Sequence, residues 1–167
     1  MRVLSSLISL PFIAATLASG GCDPGTTRPD VIPFPESRTI EVTQDRPQAL
    51  EALHRALLAD SFPIAHLSAR DLWLDTPWFD ALSLAPAGTQ RLGASVVKLR
   101  GWAEPARPGN SLLVVELVYR PLVDPSLSAR TLERPVPPTD SIYARVGRVL
   151  KVLQDSIGAH SGGGARH

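Results

Sequence analysis

The chain has 167 residues, of which 44% are hydrophobic and 20% charged, a globular composition far from the polar, highly charged signature of disorder. A formal charge of +1 leaves no basic excess for displacing phosphate counterions, which counts against a general nucleic-acid binder. Cys22 is the sole cysteine, so an intramolecular disulfide and a multi-cysteine metal site are both excluded.

In chain order, Met1 and Arg2 supply a short positive start, and residues 3–18 are apolar but interrupted by Ser5, Ser6, Ser9 and Pro11. A membrane span needs about 20 predominantly apolar residues, whereas the apolar part of an export signal needs roughly 7 to 15 followed by small residues at a cleavage point. Ser19, Gly20 and Gly21 meet that need, and Cys22 follows directly. Residues 1–21 are therefore expected to be a signal peptide. Residues 22–37 contain several prolines without apolar periodicity, and read as a stiff tether.

A single domain is expected over 38–160. Ile40 and Val42 alternate with Thr39, Glu41 and Thr43, the pattern of a half-buried strand. Asp45, Pro47 and Gln48 mark a helix start, and Leu50, Leu53 and Leu57 form its core stripe through about residue 59. Residues 62–67 and 72–79 read as a second and third strand around a turn near 68–71. Residues 91–102 and 111–120 read as a long hairpin across the turn-rich segment 105–110. In its second arm both faces are largely apolar, as expected of a central strand. Residues 121–138 make a long proline-rich connection. Thr139 or Asp140 then caps a last helix striped by Ile142, Val146, Val149, Leu153 and Ile157, with Gly158 as its C-cap and residues 161–167 as a disordered tail. The fold expected is α+β: an antiparallel sheet of about five strands with two helices on one face, in the order β-α-β-β-β-β-α. All periodic segments follow Ser37, so a chain beginning there is expected to fold alone.

The small residues ending in Cys22 resemble the lipobox of bacterial lipoproteins, although Ser19 stands where Leu is common and Leu17 lies two residues earlier. The resemblance implies a diacylglyceryl-modified, N-acylated Cys22, hence a palmitate-bearing envelope protein facing the periplasm. Two acyl chains suffice for stable anchoring. In enteric lipoproteins an Asp after the cysteine favours the inner membrane; Asp23 fits, and the choice between inner and outer membrane stays open. The run from Ala49-Leu50 to Ala56-Leu57, then Phe62-Pro63-Ile64, then Asp71 to Trp78 resembles the BamC-like helix-grip domains of envelope lipoproteins, without their Gly before the third strand. That resemblance implies a non-catalytic role in protein contacts and transfers no site residue.

Chemistry-bearing motifs are sparse. Gly93-Ala94-Ser95-Val96 lacks the second glycine of a nucleophile elbow. His54, His66, His160 and His167 form no pair with metal-ligand spacing. No enzyme, cofactor or metal is expected. Arg145, Arg148 and Lys151 make a basic strip on the last helix that could meet anionic headgroups, against the simpler reading of a solvated face. Trp73 and Trp102 could form an exposed aromatic patch for a partner, against the simpler reading of cross-strand packing. The expected function is a lipid-anchored protein-binding or scaffolding domain, without nucleic acid. A carrier holding a small ligand or lipid between helices and sheet is the alternative, and needs a cavity of about 300 Å³ or more; a hydrolase is a third reading.

Overall fold

A computed structural model describes residues 32–88 and 93–161. The alternating segment forms β1 (Arg38–Val42), and helix α1 (Arg46–Ala59) follows, capped by the Asp45 carboxylate, which accepts from the Gln48 N–H at 2.9 Å. Strands β2 (His66–Ser68), β3 (Trp73–Asp75) and β4 (Phe79–Asp80) are short, whereas β5 (Val96–Pro105) and β6 (Ser111–Tyr119) form the long hairpin. Helix α2 (Ala129–Leu132) and strand β7 (Arg134–Pro135) lie within the proline-rich connection, and α3 (Ser141–Ser161) closes the order. All strand pairs are antiparallel, along the path β1-β6-β5-β3-β2, with β4 added to β5 and β7 to β6. The α+β class and the antiparallel sheet match the expectation; the sheet has seven strands where about five were expected, the two-residue β4 and β7 being additions, and α2 is a third helix.

Both long helices cover one sheet face. Leu50, Leu53 and Leu57 of α1 and Ile142, Val146 and Leu150 of α3 join Leu74, Leu99, Leu113 and Val115 in a single buried cluster. Gly101 sits at the closest approach: a Cβ there would stand 2.9 Å from Leu53 Cδ2 and 3.3 Å from Leu74 Cδ1. The missing side chain lets α1 settle onto the sheet centre.

The differences from the expected elements have local causes. Helix α1 ends with Ser61 in the left-handed region (φ 66°), while Ser61 N–H donates to Leu58 O and Phe62 N–H to Leu57 O. This is the Schellman arrangement with serine in the usual glycine place. It turns Phe62 into the core, edge-on to Phe79 at 6.0 Å, so the second strand starts only at His66. The third strand breaks after Asp75, because buried Thr76 takes over the ladder: its N–H donates to Leu99 O at 3.0 Å, and its Oγ1 accepts from Leu99 N–H at 2.9 Å. Pro77, lacking an N–H, follows. Asp140, not Thr139, caps α3, its Oδ1 accepting from Ile142 N–H at 3.0 Å. The helix runs through Gly158 to Ser161, so Gly158 is not the C-cap; inside a helix a glycine costs only about 1 kcal/mol relative to alanine.

Candidate functional site

The sheet face away from the helices carries charge in register. His66, Asp75, Arg100 and Glu116 stand directly opposite one another on β2, β3, β5 and β6. A charged row at a sheet centre must find partners or unfold. Here the proline-rich connection supplies them. Glu133, between α2 and β7, receives both Arg100 nitrogens at 2.7 Å, and Arg120 Nη2 at 3.3 Å. Glu116 receives Arg130 Nη1 at 2.7 Å and Nη2 at 2.9 Å. Both carboxylates are about 1% exposed. Burial would raise the Glu133 carboxyl, but the hydrogen bonds and charge of Arg100, followed by those of Arg120, outweigh it and hold the group below its ordinary value.

The same cluster grips the end of the tether. Phe34 N–H donates to Glu116 Oε1 at 3.0 Å, and the Arg130 guanidinium lies 3.8 Å over the Phe34 ring and donates to Ile32 O. Tyr143 donates to Glu36 O at 2.9 Å. Residues 32–36, expected to be part of the stiff tether, are thus fastened to the domain. With its carboxylates bidentately paired, this cluster offers no free base and holds segments in place.

At the row's open end, His66 Nδ1 lies 2.7 Å from Asp75 Oδ1, beside a groove of about 540 Å³ lined partly by Ser68 and Trp73. Lys98 also bonds Asp75. The Ser68 hydroxyl donates to Asp71 Oδ2 and accepts from Asp71 N–H, both at 3.1 Å, so no activated nucleophile accompanies this His–Asp pair. Among the described residues no group of three or more His, Cys, Asp or Glu could hold a metal.

Trp73 and Trp102 are brought together as cross-strand neighbours, but at 9% and 3% exposure they are buried with Val114, not an exposed patch. Alternation puts both on the same face in direct register, where each covers the other's apolar area. Trp102 Nε1 donates to Glu104 at 2.8 Å. The basic strip is likewise divided. Arg145 bonds Asp60 Oδ2 at 2.6 Å and its carbonyl at 2.8 Å, joining the end of α1 to the start of α3. Lys151 pairs with Asp155 at 3.1 Å. Arg148 alone is exposed with no carboxylate partner among the described residues. Cys22 lies outside the described residues.

The antiparallel helices leave a groove along their outer seam. Near the Asp60–Arg145 pair it has about 260 Å³, floored by Ala56, Ala59 and Val149; towards Gln44 and Ile157 it widens to about 550 Å³, and Ala56 and Val152 line both parts. Val152, 68% exposed, was missed in the sequence, although it is an apolar residue of α3 that falls outside the core stripe. No protein-family model and no curated protein matches the chain, so the proposed resemblance to helix-grip domains gains no support there. Among the described residues no helix is long and apolar enough to cross a membrane.

Proposed function

We propose that this is a lipid-anchored cell-envelope protein, attached through Cys22, whose domain is a non-catalytic binding module for another protein. The observation that carries the reading is the location of its concave apolar surface. The space between helices and sheet is filled by Leu50, Leu53, Leu57, Leu99, Leu113 and Leu150, each at most 2% exposed, while the apolar groove opens outward along the helix seam. A carrier would need the reverse arrangement. Among the described residues the His66–Asp75 pair has no serine hydroxyl bonded to its imidazole, Ser68 bonding Asp71 instead, which favours binding over hydrolysis. The anchor rests on the leader and on the lone cysteine after its small residues.

Two measurements in cells test this. Cys22→Ala should abolish palmitate labelling and release the protein from membranes or leave it unprocessed; undiminished labelling would remove the anchor. A photoreactive amino acid at Val152 should give one discrete protein adduct, and the same probe at exposed Leu122 in the connection after β6 should not. Absence of any Val152 adduct would count decisively against a protein partner at this surface.

A further inference from the structure

We infer that the α1/α3 seam receives an amphipathic helix of the partner, with its apolar side on Ala56, Val149 and Val152 and its acidic side chains toward Arg55 and Arg148. This rests on the preceding reading that the domain binds a protein, and adds the chemistry of what it binds. The groove follows α3 from Arg145 to Ile157, which at 1.5 Å per residue is about 18 Å, or roughly three helical turns. Its walls are two helices, whose backbone groups are already bonded internally. An extended peptide laid there would find no strand edge for its own N–H and C=O groups, whereas a helix brings these satisfied.

Charge selects the partner's rim. Arg55 is 71% exposed and reaches its nearest carboxylate, Glu51, only at 4.0 Å; Arg148 has none among the described residues. Asp60, the acid lining the groove, is consumed by Arg145. The seam cation without a carboxylate among the described residues is therefore Arg148, while Arg55 on the facing bank is held by Glu51 only at 4.0 Å, so the open charge along the seam is positive and complementary to carboxylates. A second copy docked seam to seam would bring these same cations together and is disfavoured.

The test uses the full chain in phosphatidylcholine nanodiscs as bait for a phage-displayed library of amphipathic helices. Selected sequences should carry apolar residues at i, i+3 or i+4, and i+7, flanked by Asp or Glu. A synthetic peptide of the selected sequence should bind Val152→Glu and Arg148→Glu at least tenfold more weakly, and its Glu→Lys counterpart should recover affinity for Arg148→Glu. Both positions are exposed, so unchanged melting temperatures would show that the variants remain folded. Selection without acidic enrichment, or binding indifferent to both variants, overturns the inference. So does a photoreactive residue at Val152 that, in nanodiscs containing phosphatidylglycerol, crosslinks to that lipid and not to the peptide, which would assign the seam to lipid. A discrete Val152 adduct combined with failed acidic selection would leave the protein-binding reading intact and remove only the acidic helix.

Discussion

Glu116 stands alone among apolar neighbours in Leu112-Leu113-Val114-Val115-Glu116-Leu117-Val118, and a carboxylate in a central strand requires a buried partner. The hairpin register provides Arg100 opposite, a pairing implicit in the turn at 106–110. Glu133 and Arg130 could not be found this way, because they arrive from a loop whose path depends on the whole sheet. Glu133 yields a prediction with a definite sign. Its folded-state value is lowered, so the stability it contributes is complete above the unfolded carboxylate value of about 4.3 and is lost as pH falls to and through the folded one. Glu133→Gln, which leaves Arg100 and Arg120 without their shared charge, should cost about 3 to 5 kcal/mol at pH 7. In urea titrations the variant should also lose less stability between neutral and acid pH than the parent. Equal acid losses would show that Glu133 is not a source of the pH dependence.

At the scale of elements, periodicity located both long helices and the hairpin to within a few residues, because burial on one side writes itself into the spacing of Leu, Ile and Val. It failed where a side chain or a turn replaced the ladder. Thr76 substitutes its hydroxyl for a strand acceptor, and Ser61 adopts a conformation normally given to glycine, neither of which leaves a periodic trace. The helix α3 prediction separates two neighbours. Val149 is 7% exposed within the core cluster, while Arg148 is exposed. Val149→Asp should cost several kcal/mol by burying an unpaired carboxylate, comparable with a small domain's whole stability. Arg148→Asp should stay within about 0.5 kcal/mol. Similar, mild urea-melt shifts for both would mean that α3 is not docked on the sheet.

For the molecule as a whole, the antiparallel sheet and the common face for both helices were legible, but the order of strands across the sheet and the seam groove were not, since both depend on elements distant in sequence. Contacts with the domain also reach upstream of Ser37, to Phe34 and Ile32. A chain beginning at Ser37 should fold, but should be less stable than one beginning at Ile32 by about 1 to 3 kcal/mol, the range for losing a hydrogen bond to a buried charge and a cation–π contact. Identical urea midpoints would show that the fastening of residues 32–36 contributes nothing.

That fastening also fixes how far the domain can stray. If the lipid is on Cys22, nine residues lie between it and Ile32, and the ten residue-to-residue steps of a fully extended chain cover at most about 3.5 Å each, or about 35 Å. Were Arg130 and Glu116 to let go, the free length would extend to Glu36, which Tyr143 still holds, adding about 14 Å on the same measure. The buried charge cluster is then the knot in a leash, setting the radius of the volume above the membrane within which the seam can meet a partner.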